Sequence, residues 1–196
     1  MHPAPGFRVE DEATLLAQLE RQPLCTVAAA PDGRVRIAHA PVIARRLEGR
    51  LALDFHLSRK NALTAFVADG FRATLVSLGP DAYVSPDWYE AADQVPTWNY
   101  VTVEVEGACV GLDDTGLVAL LDALSAQEEA KLLPKPPWTR AKMTPGRFEA
   151  MTRAIMGVRL TVERLEGTFK LSQNKGDADR AAVVRGLGDH PLAKLI

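Results

Sequence analysis

The chain has 196 residues, and its composition, 47% hydrophobic and 24% charged, is that of a globular protein with a substantial core. No apolar run reaches the roughly 18 to 20 residues of a membrane span, and the first residues lack the basic and apolar blocks of a signal peptide. The cysteines, Cys25 and Cys109, lie in separate apolar stretches, which excludes a disulfide framework and a cysteine-based metal site. We expect a cytoplasmic protein with two buried, inert thiols.

Charge is distributed unevenly along the chain, although the formal net charge is only −2. Residues 1–130 contain 19 acidic and 10 basic residues, whereas residues 131–196 contain 6 acidic and 13 basic residues. A basic segment of this kind is typical of a chain that binds an anionic partner, and DNA is one candidate. A basic surface that packs on an acidic one, in the same chain or in a partner subunit, explains the pattern as well.

A helix and then a series of short strands are predicted over the first part of the chain. The helix covers 11–21, because leucines recur there at helical spacing and Pro23 follows its end. Residues 51–56 alternate between apolar and polar, which is the period of a half-buried strand. Further strands are predicted at 24–30, 35–40, 42–46, 71–78 and 95–110, with a short helix at 61–68 and a loop at 79–94.

The rest of the chain predicts three helices and one more strand. Leucines form an apolar stripe over 113–130, and shorter helices are expected at 145–154 and 177–187. The last strand is expected at 156–165, closed by Glu166-Gly167. Six or seven strands joined by hairpins, with helices between some of them, predict a mainly β fold, a barrel with peripheral α-helices. We expect a single domain over 1–196, with a basic C-terminal extension from about residue 145 to 196.

The segment from His56 to Asn61 lies where a strand ends and a short helix begins. Arg59, Lys60 and the hydroxyl of Ser58 are charged and neutral donors of the kind that bind a phosphate, and arginine can make two parallel hydrogen bonds to one. Backbone N–H groups at the start of a helix also attract anions. An exposed basic helix cap is the alternative interpretation of the same residues.

Two aromatic segments precede the strand at 95–110. The loop from Gly79 to Tyr89 contains three aromatic residues and two prolines, and we expect it to cover one end of the barrel and shape one side of a site. In the segment Val95 to Tyr100, Trp98 can form the wall of a site for an aromatic ligand, and Asn99 can hydrogen-bond its edge. Core or interface anchoring explains these aromatic residues equally well.

A cluster of polar side chains follows the last strand. Lys170, Ser172 and Gln173 supply donors suited to an acceptor-rich ligand, although a polar turn before a helix is the alternative. The two histidines His39 and His56 lack cysteine or acidic neighbours at zinc-ligand spacing, so no metal site is predicted. No hydrolase elbow, dinucleotide fingerprint or nucleic-acid-binding motif occurs, and no catalytic residue is predicted.

Taken in order, these segments resemble the PaiB-type FMN-binding proteins, a family named for negative transcriptional regulation. That family is a branch of the FMN-binding split barrels that include pyridoxine phosphate oxidase. The resemblance covers nearly the whole chain, and its most specific strings are Val-Pro-Thr-Trp-Asn-Tyr at 95–100 and Lys-Leu-Ser-Gln-Asn at 170–174. Lys60 stands where the family usually has a small residue, and Ala62 stands where it usually has proline. Residues 111–145 carry no recognisable family motif.

The resemblance implies a homodimeric split β-barrel that holds flavin mononucleotide (FMN) at the interface between the two subunits. It implies that the phosphate binds at the turn after the strand predicted at 51–56 and that the aromatic segment and the polar cluster reach the flavin. The residues assigned to the cofactor on this basis are His39, His56, Ser58, Arg59, Lys60, Asn61, Trp98, Asn99, Tyr100, Lys170, Ser172 and Gln173.

Three functions remain open at this stage. The family name implies a transcriptional regulator, with DNA as a candidate partner. A bound flavin would also serve a reductase or other oxidoreductase of a small molecule, since the cofactor supplies the chemistry and the protein supplies orientation. A flavin-sensing or haem-handling protein without turnover is the third alternative, so the sequence does not decide whether the protein is an enzyme.

Overall fold

The computed structural model describes residues 4–196, which form an antiparallel sheet of eight strands surrounded by helices. The strands are β1 (Arg8–Val9), β2 (Leu24–Ala29), β3 (Arg36–Pro41), β4 (Ile43–Leu47), β5 (Arg50–Ser58), β6 (Phe71–Val84), β7 (Thr97–Gly111) and β8 (Ile155–Lys170). The α-helices are α1 (Glu12–Arg21), α2 (Asp114–Ala130), α3 (Arg147–Thr152) and α4 (Asp177–Leu187).

The sheet curls until its two ends approach each other. Its strands follow the order β3-β2-β6-β7-β8-β5-β4, and β1 pairs with the last residues of β8. Strand β3 comes close to the turn after β5, where the guanidinium of Arg36 lies 5.3 Å from the centre of the Phe66 ring. Because no hydrogen-bonded ladder joins β3 to β5 among the described residues, the curled sheet is a split β-barrel.

Apolar side chains from the inner face of every long strand fill the barrel. Phe55 of β5, Val103 of β7, Val27 of β2 and Leu160 of β8 are fully buried in one cluster. Leu15 of α1 belongs to the same cluster. One continuous core therefore joins strands that are far apart in the sheet order.

Strand β5 is covered on both faces, since α2 packs on the face that points away from the barrel. Leu117 and Leu120 of α2 form a second apolar cluster with Ile43 of β4. Under this layer, Asp54 is buried and accepts two hydrogen bonds from Arg159 of β8, each 2.7 Å long. This bidentate ion pair connects the middle of β5 to the first part of β8.

Most of the predicted elements are confirmed. Helices α1, α2 and α4 and the two N-terminal hairpins lie where the sequence pattern places them. The side chains of Asp11 and Asp113 cap α1 and α2 by accepting hydrogen bonds from the backbone N–H groups of Thr14 and Gly116, at 2.8 and 2.7 Å. The short helix expected at 61–68 is only a 3-10 turn.

The prediction that 79–94 is entirely loop is wrong for its first six residues, because β6 continues to Val84. Pro80 lies inside this strand although proline lacks a backbone donor. The ladder between β6 and β7 shifts its register between Leu78 and Asp81, and such a bulge is one of the few places in a sheet that accept proline.

The prediction that the last strand ends at Glu166-Gly167 is also wrong, because β8 continues to Lys170. Gly167 serves close packing and does not make a turn. A Cβ atom at this position would lie only 2.3 Å from the Cδ2 atom of Leu15. The missing side chain therefore lets α1 approach the strand.

Within residues 4–196, no helix is long and apolar enough to cross a membrane. Cys25 and Cys109 are both buried, and burial raises the pKa of each thiol to about 12. Both thiols are therefore protonated at neutral pH, which disfavours a nucleophilic role.

Part of the charge asymmetry is explained by contacts within the chain. Lys131 and Lys135 pair with Glu128 and Glu129 at the end of α2, and the segment that follows adds an ion pair between Arg140 and α2. The basic segment after residue 130 therefore packs in part on the acidic helix that precedes it.

Candidate functional site

The predicted residues at the end of β5 form a tight turn. The hydroxyl of Ser58 accepts a hydrogen bond from the backbone N–H of Lys60, at 3.2 Å, and Oδ1 of Asn61 accepts one from the N–H of Leu63, at 2.9 Å. The backbone N–H of Arg59 donates to a carbonyl just before β8, which anchors the turn. Ser58 and Asn61 therefore shape the turn, whereas Arg59 and Lys60 supply its charge.

A recess of about 450 Å³ opens beside this turn, with Arg59, Arg140 and Arg153 in its wall together with acidic side chains of α2 and α3. Arg59 and Arg153 each donate from Nε to a backbone carbonyl, at 2.9 and 3.3 Å. Neither forms an ion pair with a carboxylate of residues 4–196. Arg140 differs, since it pairs with Asp122 and lies over the ring of Phe148. The terminal nitrogens of Arg59 and Arg153 are therefore available to an anion.

His56 belongs to β5, and its side chain faces α2 and α3. It lines a cavity of about 360 Å³ whose other walls include Trp138, Phe148 and Met151. Its Nδ1 atom is buried and has no hydrogen-bond partner among the described residues. Burial lowers the pKa of His56 below its ordinary value of 6.5, which favours the neutral form of the ring. Most of the cavity lining is apolar, although Asp122 and Arg140 also reach it.

The outer face of the sheet carries His39, Trp98 and Tyr100. His39 is exposed on β3, and its Nδ1 atom lies 3.2 Å from a threonine hydroxyl of β2. Trp98 and Tyr100 alternate on β7 with Asn99, whose side chain points inward. Trp98 is 54% exposed and meets Tyr83 edge to face, with 6.3 Å between the ring centres.

This outer face also exposes an apolar stripe. Cross-strand pairing places its members on one side of β2, β3, β6 and β7. Several exposed apolar side chains on one face of a sheet are typical of an interaction site in a soluble protein. The large exposed apolar side chains of the stripe are Leu24, Ile37, Leu78, Tyr83 and Trp98.

The polar cluster after β8 lines a cleft of about 600 Å³ at the start of β7. Nδ2 of Asn99 donates a 2.7 Å hydrogen bond to the hydroxyl of Ser172, and both side chains are buried. Ser172 has a backbone φ of 59°, in the left-handed region. The ammonium group of Lys170 donates to the hydroxyl of Thr97. The cleft is therefore built from side chains that hold one another in place.

Gln173 braces the turn that carries this cluster. Its Oε1 atom accepts a 2.7 Å hydrogen bond from the backbone N–H of Leu171, and its Nε2 atom donates to the carbonyl of Gly6 at 3.1 Å. Nε2 also donates to the carbonyl of Phe169 at 2.5 Å, so all three contacts are within the chain. Gln173 therefore fixes the cleft floor against the N-terminal segment and keeps only part of its hydrogen-bonding capacity for a ligand.

The turn and the cleft lie at opposite ends of β8. Ser58 of β5 pairs with Ile155, the first residue of β8, and Tyr100 of β7 pairs with Lys170, the last. At about 3.3 Å per residue, the 15 steps between these positions correspond to about 50 Å along the strand. One chain therefore brings Ser58 to Asn61 together, and separately brings Asn99, Lys170, Ser172 and Gln173 together, but does not join the two groups.

Several residues of these sites are missed by the sequence prediction. Arg140 lies in the segment 111–145 without a family motif and Arg153 in the helix predicted at 145–154, and only the tertiary fold brings them to Arg59. Tyr89 and Lys175 line the cleft. Both lie inside or directly beside segments that the sequence singles out, so aromatic and basic character next to those segments was the available signal.

The fold is shared with solved flavoprotein structures. The FAD and heme binding protein from Mycobacterium smegmatis is 20% identical, with a TM-score of 0.57 over 90% of this chain and 80% of that one. The flavocytochrome Anf3 from Azotobacter vinelandii is 16% identical, with a TM-score of 0.59 over 92% of this chain and 78% of that one. At these identities the similarity establishes the architecture.

Similarity in sequence leads to the family. The protease synthase and sporulation protein PAI 2 of Bacillus subtilis is 25% identical over 96% of this chain and 90% of its own length. An uncharacterized protein of Emericella nidulans is 30% identical over 53% of this chain and 47% of its own length. The family model described as "Putative FMN-binding domain" matches residues 1–164. Because this match spans most of the chain, the protein belongs to that FMN-binding family, and it is a PaiB-like split-barrel protein with a flavin cofactor.

Proposed function

We propose that two copies of the chain hold FMN between them, with its phosphate at the turn of one subunit and its ring at the cleft of the other. The observation that carries this proposal is the separation of the two residue groups along β8. A single chain cannot place both groups on one FMN molecule, whereas two chains related by a two-fold axis can bring unlike ends together.

The donor set at the turn suits a phosphate monoester, which carries about −1.5 to −2 charges at neutral pH. Arg59, Lys60 and Arg153 supply positive charge that is not neutralised by an ion pair within residues 4–196. We assign the phosphate to these three side chains and to the Ser58 hydroxyl. Asn61 supports the turn, because its side-chain oxygen already caps the following 3-10 turn.

The ring of the flavin needs a flat wall and donors at its polar edge. The exposed faces of Trp98 and Tyr100 supply the wall. His39 lies on the same sheet face, but β2 and β6 separate its strand from β7. Asn99, Lys170, Ser172 and Gln173 from the cleft supply polar groups. His56, whose cavity is lined mostly by apolar side chains, contributes to the support of β5 and only indirectly to the cofactor.

The apolar stripe on the outer face is the proposed dimer interface. Its exposed side chains include Trp98 and Tyr83, and aromatic residues dominate the binding energy of many protein interfaces. The same face carries three of the residues assigned to the flavin. An interface here would therefore form the flavin site and the dimer together.

The bound flavin supplies redox chemistry, and the protein orients the ring and excludes water from it. Titration of the purified protein with FMN, followed by visible absorbance and by sedimentation velocity at 450 nm, tests the proposal. We expect a dimer that carries about one FMN per chain. A monomer that binds FMN with full stoichiometry contradicts the shared site, and a protein that refuses FMN at micromolar concentration contradicts the assignment of the cofactor.

The regulatory name of the family raises DNA binding as a second candidate. The basic residues after residue 130 support DNA binding less than their number suggests. Lys131, Lys135 and Arg140 already pair with carboxylates of the same chain, and a nonspecific DNA site depends on basic groups that are free to neutralise phosphates. A gel-shift titration at two stated salt concentrations tests this candidate.

A further inference from the structure

The cleft at the end of β8 contains two ammonium groups and no acidic side chain in its lining. Lys170 donates to the hydroxyl of Thr97, and Lys175 donates to the side-chain carbonyl of Gln94 at 2.6 Å. Neither lysine forms an ion pair with any carboxylate of residues 4–196. Both side chains are only partly exposed. Two partly desolvated positive charges therefore face one cavity without a counter-ion from the described chain.

The two charges also influence each other. Burial lowers the pKa of Lys170, and the charge of Lys175 lowers it further. Neutral partners such as Thr97 and Gln94 orient the ammonium groups without cancelling their charge. An anion between the two lysines would remove the repulsion and the loss of solvation at once.

From this geometry we propose that the cleft binds a small organic anion, a carboxylate or phosphate monoester, whose charged group lies between Lys170 and Lys175. The proposal assigns the substrate class of the flavin site, and it rests on the proposed function only in placing the anion next to a flavin. Binding of the anion itself requires no flavin.

The walls of the cleft define the rest of the ligand. The ammonium nitrogen of Lys175 lies 4.9 Å from the centre of the Tyr89 ring. The ammonium nitrogen of Lys170 lies 6.0 Å from the centre of the Phe7 ring. Val95 adds a further apolar surface. A flat or branched apolar body therefore fits beside the charged group, and buried Asn99 and Ser172 limit how deep that body can reach.

The loop that carries Tyr89 is held in position independently of the lysines. Asp179 of α4 is buried and accepts hydrogen bonds from the backbone N–H groups of Glu90 and Ala91, at 2.8 and 3.1 Å. Its carboxylate charge is thus directed at backbone donors. The cleft is therefore pre-formed, which reduces the entropy lost when a ligand binds.

Phenyl phosphate and benzoate are suitable probes, because they share one ring and differ in the anionic group, and benzamide is the neutral control. We would titrate each into the FMN-free and the FMN-loaded protein by isothermal calorimetry at low salt. We expect saturable binding of at least one of the two anions, and a much weaker response to benzamide. The anion with the higher affinity distinguishes a carboxylate from a phosphate site.

Lys175→Gln is the decisive variant, and Lys142→Gln, which changes an exposed lysine outside the cleft, is its matched control. Loss of one charge-assisted contact is expected to weaken anion binding by about 10-fold or more. The control is expected to stay within about 2-fold of the unaltered protein. Affinity for FMN is expected to be unchanged in Lys142→Gln, whose side chain lies outside the cleft.

Three results would overturn the inference. The first is equal affinity of Lys175→Gln and the unaltered protein for the anion. The second is benzamide binding as tightly as benzoate. The third is displacement of phenyl phosphate by FMN together with weaker FMN binding in Lys175→Gln, which would make the cleft the site of the cofactor phosphate. Failure of the protein to bind FMN would leave the result of the FMN-free titration standing, so the two proposals fail separately.

Discussion

The two ends of β8 differ in how their polar side chains are held. At the turn end, Arg59 and Arg153 hold one backbone contact each and leave their terminal nitrogens free. At the cleft end, Asn99 and Ser172 are 1% and 3% exposed and hydrogen-bond to each other. The turn end offers charge on side chains with few constraints, whereas the cleft end offers a rigid arrangement with a fixed shape.

This difference indicates which part of a ligand each end can select. Charge on side chains with few internal contacts suits a phosphate, which accepts hydrogen bonds from many directions. A rigid set of donors and aromatic walls suits a flat ring with a defined hydrogen-bonding edge. We therefore expect substitutions at the turn end to change affinity with little effect on folding, and substitutions at the cleft end to affect both.

The largest effect is expected from Trp98→Glu, because the account requires both ends of β8 from two chains. A charge within the apolar stripe should prevent dimer formation, and FMN binding should be lost with it. Sedimentation velocity with detection at 280 and 450 nm measures both. Arg50→Glu, an exposed change on β5 outside the stripe, is the matched control and should leave the dimer intact. A Trp98→Glu dimer with normal FMN content would separate the stripe from the interface.

Arg59→Ala tests the role of the turn end in phosphate binding. Loss of one or two charge-assisted hydrogen bonds should weaken FMN binding by about 10-fold to 100-fold, with thermal stability nearly unchanged. Arg147→Ala, an exposed arginine outside the recess, is the control. Fluorescence quenching of FMN gives the affinity. If both variants bind FMN as the unaltered protein does, the phosphate lies elsewhere.

Ser172→Ala tests how far the cleft end depends on its internal hydrogen bond. The change leaves the buried amide of Asn99 without its acceptor, and we expect a loss of about 1–3 kcal/mol in the free energy of unfolding. Ser172→Gly removes the same hydroxyl but suits the φ of 59°, so it should cost less than alanine. Urea denaturation measures both. Greater stability of the alanine variant than of the glycine variant would contradict the strain argument.

The smallest effect concerns pH and the apolar surroundings of His56. Its pKa in the folded protein is below the ordinary value of 6.5, so the unfolded chain binds the proton at a higher pH than the folded chain does. The free energy of unfolding should therefore fall as the pH drops from about 6.5 through the folded-state pKa, and this part of the pH dependence should be absent in His56→Gln. Urea denaturation of the FMN-free protein from pH 7.5 to 5 measures the slope. His39→Gln retains His56 and should retain the slope, and an equal slope in His56→Gln would contradict the argument.

Local sequence patterns predicted most elements of the fold, since alternation and helical spacing arise from burial of one face. They failed where a long-range contact decided the structure. Gly167 looks like a strand end in the sequence, but the approach of Leu15, more than 150 positions away, makes it an internal strand residue. Pro80 looks like a loop residue, yet a register shift against β7 accommodates it.

The sequence predicted the parts of the candidate site that lie in contiguous segments. It missed the residues that only the tertiary fold brings to the site. Ser58 to Asn61 and Lys170 to Gln173 are recognisable as contiguous segments. Arg153 reaches Arg59 only because its segment passes beside the turn, and no local sequence pattern predicts that contact. We propose that the whole chain forms one domain, since β8 lies inside the supposed C-terminal extension and pairs with both β5 and β7.

The central claim is that one FMN site uses the turn of one chain and the cleft of its partner. Complementation between two defective variants tests it most directly. Arg59→Ala impairs the turn and Lys170→Ala impairs the cleft, so each variant alone should bind FMN poorly. After the two are mixed and their subunits exchanged, half of the dimers should be mixed, and each mixed dimer should contain one intact site. The account predicts that roughly a quarter of all sites regain full affinity. No gain in FMN binding on mixing, with exchange confirmed by mass spectrometry, would show that each site lies within a single chain and would contradict the account.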